Sequence, residues 1–387
     1  MRYKGRVGMR TRLARWIESV WYTPKGLQFA ALYFLAPLTL LYYLFTSLRS
    51  LAYRSGLLAC VDTGVFVVVV GNITTGGTGK TPIVIWLTRQ LQAEGFTPGV
   101  VSRGYGGKRA DDVMAVTADS SPAEVGDEPF LIHRATGFPV QVGADRVAAV
   151  KALLSRSNVD VVVSDDGLQH YRLGRKVELV VVDSSRGLGN GWLLPSGPLR
   201  ELPHRLSSVD ALLFNGKTGA QEHGDLGLTN AKDLPKGIPE GSFDFVPGPA
   251  VNLKTGEYRG LDKFSGLSVR ALAGIGNPKR FYELLRRFDI ASVPIDVEDH
   301  GMVDMVDMVH MLTEGGTVLM TEKDAVKYSA NADENCWYVP VRAVFEPEVE
   351  QLLIQTVCAK LRGETLKARK HSPKPAGEKP GKRQAKK

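Results

Sequence analysis

Lys80, Thr81 and the adjacent carboxylates Asp165 and Asp166 are the residues of this 387-residue chain whose types and spacing most directly imply chemistry on a polyphosphate. Lys80 and Thr81 close the run Thr74, Thr75, Gly76, Gly77, Thr78, Gly79. Its glycines permit positive φ and close backbone approach, so that successive N–H groups can cradle phosphate oxygens. The lysine then reaches the β- and γ-phosphates, and the Thr81 hydroxyl is placed for Mg²⁺. The usual spacing is G-x-x-x-x-G-K-[ST]; here Thr74 holds the first position and the glycine has moved to the Gly76–Gly77 doublet. Asp165 and Asp166 leave an apolar strand in SDDG, where nucleotide enzymes hold Mg²⁺ or its waters. The alternative is an Asp-Gly turn with solvated side chains, although two adjacent acids are hard to explain as packing.

Other candidates are weaker alone. Asp127, followed by Glu128 and Pro129, reads equally as an N-cap with proline in the first helical turn. Glu128 is a second acid available to a metal or its water. His300, in EDHG, reads alone as a loop or core histidine. Arg103 and Tyr105 in SRGYGG suit phosphate or sugar, or simply a glycine-rich turn. Arg200 and Glu201 end LPSGPLRE and read as nucleotide or acceptor contacts, or as a surface ion pair. TEKD, at 321–324, lacks the residue that a guanine-reading loop needs between Lys and Asp, so no GTP specificity follows from it.

The elements that must position these groups follow from patterning. VFVVVV before the loop suits a strand covered on both faces, and IVIWLTRQL after it suits a helix. Strand and helix signals then alternate through TPGVVS, residues 128–135, FPVQVG, residues 146–154, VDVVVSDDG, VELVVVD and VDALLFNG. This predicts an α/β fold with a doubly wound, mostly parallel P-loop sheet. A Gly/Lys/Asp/Pro-rich stretch over 216–242 reads as a linker, and FDFVPGPAVNLKTGEYRGL as a hairpin. A second, smaller α/β set follows, from VRALAGIGNPKRF to a helix ending near Leu361. The expected division is 1–55 for N-terminal membrane-associated helices, 56–225 for the nucleotide-binding domain, 226–361 for the hairpin linker and C-terminal α/β domain, and 362–387 for a basic disordered tail.

The net charge of +8 is confined to the ends. Residues 362–387 hold ten Lys/Arg against two Glu, residues 1–26 hold seven against Glu18, and the intervening body is at −6. Basic ends suit an anionic membrane surface. The tail shows no aromatic interleaving or reading helix, so no nucleic-acid partner is expected. Cys60, Cys336 and Cys358 form no metal or disulfide pattern. LQFAALYFLAPLTLLYYLFTSL, 22 residues without a charge, is long enough to span a bilayer. Its basic N-terminal flank would then stay cytoplasmic and export the nucleotide loop away from ATP. Pro37 also interrupts the run. Helices lying in or dipping into the cytoplasmic leaflet are therefore expected. No small-residue cleavage site marks a removed signal peptide.

GNITTGGTGKTP, VVSRGYGG, GDEPFLI, DDGLQHYRL, GNGWLLPSGPLRE, AGIGNPKRF and LMTEKDAVK resemble, in order and spacing, the tetraacyldisaccharide 4′-kinases of lipid A biosynthesis, from about Pro24 to about Leu361. The resemblance implies a two-domain, membrane-associated enzyme. It would move the γ-phosphoryl group of ATP, with Mg²⁺, to the 4′-hydroxyl of an acylated glucosamine disaccharide at the inner face of the cytoplasmic membrane. It further implies that Asp127 accepts or orients the acceptor proton, partnered by His300 from the other domain. The glycine doublet also resembles the loop of MinD-like ATPases, which supports an alternative, a membrane-associated nucleotide switch; the lysine those proteins often carry is replaced by Thr75. Oligomeric state is not indicated.

Overall fold

A computed structural model describes residues 9–23, 26, 28–107, 113–216, 238–295, 297, 316–328 and 333–363. The four valines that announced the first strand lie in β1 (Phe66–Gly71), at most 1% exposed. Side chains alternate across a strand, so Val68 and Val70 meet Ile83, Leu87 and Leu91 of α3 (Lys80–Ala93). Val67 and Val69 meet Val147, Val150 and Leu153 of α6 (Arg146–Arg156) on the other face. A strand buried this way has no room for polar alternation.

β1 lies between β5 (Val161–Asp165) and β6 (Val177–Asp183) in a nine-stranded sheet of order β15-β8-β7-β6-β1-β5-β2-β4-β3. The strands from β8 (Glu240–Pro247) through β7 (Ala211–Asn215) to β2 (Pro98–Ser102) and β4 (Val140–Val142) are parallel. β3 (Met114–Val116) and β15 (Val341–Phe345) close the edges antiparallel. The carboxyl ends of β1, β2, β5, β6 and β7 thus share one edge, where ligands bind in such sheets.

A second, six-stranded sheet follows the order β10-β9-β14-β13-β11-β12. β11 (Val269–Leu272), β12 (Ser292–Ile295), β13 (Thr317–Thr321) and β14 (Cys336–Val339) run parallel. β9 (Ala250–Asn252) and β10 (Tyr258–Arg259) form the expected hairpin. FDFVP does not join it. It belongs to β8 in the first sheet, because Phe243, Phe245 and Phe345 of β15 pack ring to ring with centroids 5.3–5.5 Å apart. The chain therefore leaves the first lobe after β8 and returns at β15, and the two crossings touch where Gly248 N donates to Pro340 O at 2.9 Å. The last helix, α9 (Pro347–Arg362), also belongs to the first lobe. A side chain at Gly241 would stand 2.8 Å from Val349 and 3.0 Å from Leu353, so glycine lets the helix lie close on β8.

α1 (Met9–Tyr22) and α2 (Gln28–Arg54) precede the sheet. Contrary to the expected break, α2 is continuous through Pro37. Residues 32–54 are long and apolar enough to cross a membrane by length and composition. One flank is tied to the body: Thr39 donates to Ser196 at 2.7 Å, Tyr42 to the carbonyl of Arg200 at 3.1 Å and Arg49 to that of Gln169 at 2.7 Å. The opposite flank exposes Tyr33, Phe34, Leu38, Leu41, Phe45 and Leu48.

Candidate active site

The loop after β1 is held from outside by the segment that follows β6. Thr75 N donates to Pro198 O at 2.8 Å, and Arg200 N to Ile73 O at 2.7 Å. Gly79, with φ +97°, starts α3, and a β-carbon there would stand 2.7 Å from the Phe245 ring and 2.8 Å from the Asn215 amide. That amide donates to Thr78 O at 3.0 Å, tying the loop to the end of β7. The loop, from Thr74 to Thr81, thus has a fixed shape, and α3 directs its N-terminal N–H groups toward it.

Asp165 and Asp166, side by side in sequence, have opposite electrostatics. Asp166 takes φ +48°, a conformation that Asp tolerates better than most residues, and turns its carboxylate to Lys80 Nζ at 3.5 Å and Arg200 Nη1 at 3.0 Å. Burial pushes Asp166 up, but Lys80 and Arg200 outweigh it and hold the acid well below the usual carboxylate range. Asp165 is 1% exposed and rises above that range, first through burial, then through the charges of Glu128 and Asp166. Ser102 donates to one of its oxygens at 3.0 Å; the other has no partner among the described residues.

Further buried polar atoms are unpartnered here: the Thr75 and Thr78 hydroxyls, the Ser164 hydroxyl and both side-chain polar atoms of Asn72. Native interiors rarely leave such groups unpaired, so their concentration around one loop marks a ligand site. Among the described residues no group of three or more His, Cys, Asp or Glu could by itself hold a metal. Mg²⁺ asks for less: one or two carboxylates, with waters and substrate phosphates completing its shell. Thr81, the unpartnered oxygen of Asp165, and its neighbours Asp166 and Glu128 fit that demand.

Facing this edge, α5 (Asp127–Thr136) begins at Asp127. The N-cap is Gly126, φ +93°, and not Asp127, whose carboxylate instead meets Lys327 Nζ at 3.5 Å. Glu128 meets Lys323 Nζ at 3.0 Å. Both lysines stand on α8 (Glu322–Tyr328) of the second lobe. Lys327 also pairs, at 3.0 Å, with the wholly buried Asp324, which accepts from Thr321 at 2.6 Å and from Gly274 N at 2.9 Å. TEKD and the lysine that follows are thus a bracket between lobes. His300 lies outside the described residues, and so do residues 364–387 of the expected tail; Arg362, its first residue, instead closes the last helix.

Arg103 and Tyr105 follow β2 and are exposed. Their loop lies against the start of α5, where a β-carbon on Gly126 would stand 2.8 Å from Tyr105 O. Glu201 is not a surface ion: its side chain is 11% exposed, accepts from Gln169 at 2.8 Å and from Tyr171, and lies 3.4 Å from Arg205. Arg200 is brought to the phosphate loop through Asp166, while Glu201 braces the Asp166–Tyr171 turn.

Sequence reasoning missed the lysines of α8, whose i, i+4 spacing on a seven-residue helix is too slight a signal to single them out. It also missed a latch between the lobes. Asp183, at the end of β6, binds Arg280 at 2.5 Å and Asn277 at 3.2 Å, both from the second lobe. Beside them Gly276 lies so close to Gly77 that a β-carbon on Gly77 would stand 3.1 Å from Gly276 N.

Three comparisons bear on this geometry. The family described as LpxK, tetraacyldisaccharide-1-P 4′-kinase, matches residues 31–358. The crystal structure of the "apo" form of LpxK from Aquifex aeolicus in complex with ATP superposes with a TM-score of 0.67 at 24% identity, covering 86% of this chain and 99% of that one. It shares the fold. The signal recognition particle receptor FtsY of Elizabethkingia anophelis, at 16% identity, covers 48% of this chain and 60% of that one with a TM-score of 0.30, too slight an overlap to bear on function.

Proposed function

The chain belongs to the LpxK family of tetraacyldisaccharide 4′-kinases, and from that premise we propose that it transfers the γ-phosphoryl group of ATP to the 4′-hydroxyl of a tetraacylated glucosamine disaccharide 1-phosphate. The nucleotide-switch alternative gives way to a lipid kinase. The observation that carries the proposal is the cluster of unpartnered buried polar atoms around a loop whose lysine is already aimed at the Asp165–Asp166 edge.

Phosphoryl transfer needs little covalent help from the protein, so positioning and charge neutralisation dominate. Residues 74–81 cradle the polyphosphate, and Lys80 exchanges Asp166 for the β- and γ-oxygens. Asp166, still paired with Arg200, would with Asp165, Thr81 and Glu128 be the groups that hold Mg²⁺ or its waters. When bound there, Mg²⁺ would supply charge neutralisation for the polyphosphate. A cation beside Asp165 would favour its ionised form, so bound metal would offset the cost of burying that carboxylate. Asp127 takes the proton of the acceptor hydroxyl as its oxygen bonds to γ-phosphorus and the β–γ bridging bond breaks, releasing ADP. His300 orients that carboxylate, and Lys327 holds it from the second lobe. Arg103, Tyr105, Arg200 and Glu201 frame the nucleotide or the acceptor.

The docking of α2 along the first lobe supports a chain lying against the cytoplasmic face of the inner membrane, its exposed aromatic and aliphatic flank among the acyl chains and its basic ends on anionic headgroups. The division at 55, 225 and 361 remains our proposal for the units, with β8 and β15 joining the first sheet and α9 packing against it. Detergent-solubilised protein with radiolabelled ATP should label a tetraacylated disaccharide 1-phosphate but not an analogue lacking the 4′-hydroxyl. Phosphate released to water with no lipid labelling would refute the proposal.

A further inference from the structure

The turn after β6 places one arginine between α1 and the phosphate loop. Arg186 N and Gly187 N both donate to Asp183 O, at 3.1 and 2.8 Å, and Asp183 also binds Ser185 at 2.9 Å through its N–H. The tight turn aims Arg186 back across the loop. One guanidinium nitrogen lies 2.5 Å from Glu18 of α1, and the group stacks 5.1 Å from the centre of the Tyr22 ring. The other terminal nitrogen lies 3.6 Å from the position a β-carbon would take on Gly76. Gly76, four residues before Lys80 with φ +98°, has no side chain to screen the loop from that charge.

The end of α1 is fixed to the same segment. Asn190 N donates to Trp21 O at 2.8 Å and Trp21 Nε1 to Pro195 O at 3.0 Å. Tyr22 reaches the Thr75 carbonyl at 3.5 Å. Each cation beside the loop is thus parked on a carboxylate. Lys80 rests on Asp166 from the catalytic edge, and Arg186 rests on Glu18 from the membrane-associated helix. The Arg186 side chain is 17% exposed and that of Glu18 45%, so the helix holds its acid in a half-open position where a small shift of α1 would withdraw it.

We propose that Arg186 is a second phosphate-facing cation of this site, supplied in cis to the γ-phosphoryl group during transfer and held in reserve by Glu18, so that the seat of α1 on an anionic membrane sets its availability. This rests on the reading of residues 74–81 as a nucleotide loop. An arginine brought to a P-loop acts on charge that develops in the transition state, and is worth about 10³-fold or more in rate. It changes ground-state ATP affinity little.

The test uses the full chain and the variants Arg186→Ala, Arg186→Lys, Glu18→Gln and Glu18→Gln/Arg186→Ala. Each is assayed for kcat, for affinity toward a fluorescent ATP analogue, and for affinity toward ADP with Mg²⁺ and aluminium fluoride, which mimics the transferring phosphoryl group. Arg186→Ala should lose on the order of 10³-fold in kcat and in affinity for the aluminium fluoride complex while binding ATP nearly as wild type. Arg186→Lys, which keeps the charge without the fork, should fall between them. Glu18→Gln should move the opposite way. It should raise kcat in uncharged detergent about two- to fivefold, the equivalent of ~0.5–1 kcal/mol for a partly exposed ion pair, and should gain nothing further on phosphatidylglycerol vesicles. The double variant should match Arg186→Ala.

If Arg186 merely anchors α1, Arg186→Ala and Glu18→Gln both break the same contact and lower activity alike, which overturns the proposal. An unchanged aluminium fluoride affinity in Arg186→Ala overturns it too. An equal gain on anionic vesicles for wild type and Glu18→Gln overturns the gating by α1. Lys80→Ala separates this failure from that of the underlying reading: if it binds and turns over ATP as wild type does, the nucleotide loop itself is misread.

Discussion

Replacing Asp165 by Asn should stabilise the nucleotide-free protein at pH 8 while abolishing transfer. Burial, with Glu128 and Asp166 nearby, raises the Asp165 carboxyl from 3.8 to about 7. At about 1.4 kcal/mol per unit, the ionised group costs the empty folded state up to about 4 kcal/mol at pH 8. Asparagine carries no charge and keeps the oxygen that Ser102 binds, but its amide nitrogen takes the place of the unpartnered oxygen, and a buried unpaired donor costs about 1–3 kcal/mol. The expected net gain is about 1–3 kcal/mol, several degrees in Tm. The sign follows from proton counting. Between the unfolded and the raised folded value the native state binds more protons, so wild-type stability falls as pH rises through that window. At pH 4, where wild-type Asp165 is protonated and only the amide penalty counts, the variant should be the less stable by about 1–3 kcal/mol; it should gain through pH 5–7 and lead by about 1–3 kcal/mol at pH 8. Urea unfolding of both proteins across that range, without nucleotide or metal, measures it. A pH-independent difference, or a variant less stable than wild type at pH 8, would show that Asp165 is not held as a strained carboxylate.

Lys80→Ala should abolish phosphoryl transfer in a folded protein, checked by turnover alongside a thermal melt. Asp127→Ala should lower kcat by about 10²–10⁴ with ATP affinity near wild type, His300→Ala should cost less, and the double variant should fall little below Asp127→Ala, since groups acting as a unit are non-additive; multiplied losses would refute the pairing. Lys327→Met leaves the buried Asp324 without its ammonium and should cost about 3 kcal/mol, the lower end for such a loss because Thr321 and Gly274 still bind the carboxylate; the urea midpoint reads it. A reporter fused after Arg54 should remain cytoplasmic, and periplasmic activity would refute the reading of α2.

The nucleotide loop and its strands were legible because they are local. Strands buried on both faces appear as unbroken valine runs, and a phosphate loop is contiguous in the chain. Asp165 and Asp166 were legible for the same reason, since both leave the carboxyl end of one such strand. Their opposite electrostatics were not, because Lys80 and Arg200 converge on Asp166 alone. Lys323 and Lys327 stand on a helix of seven residues, too short for periodicity to show a face, and their partners lie near residue 127. FDFVP reads as half of a hairpin because Pro-Gly follows it; its real neighbour, β15, comes about a hundred residues later. Arg186 carries no signal in a glycine-rich stretch, and its setting comes from residues 18, 22 and 76. Pro37 suggested a broken helix, and α2 runs through it, the helix being held by Thr39, Tyr42 and Arg49 on one flank.

The return of the chain to the first sheet fixes an order of events during synthesis. β15 pairs with β8, and α9 covers β8 and α3, only once residue 362 is free of the ribosome. Until then the nucleotide lobe lacks an edge strand and a covering helix, and pairing across so long a separation is slow. The apolar flank of α2 emerges first. With about 300 residues between the end of α2 and that of α9, translation at ~5–20 residues per second leaves about 15–60 s between the two. The exposed apolar flank of α2 is therefore available well before a finished body stands behind it, and on the membrane-bound reading proposed above the kinase lobe would complete itself around helices that have already had time to find a bilayer.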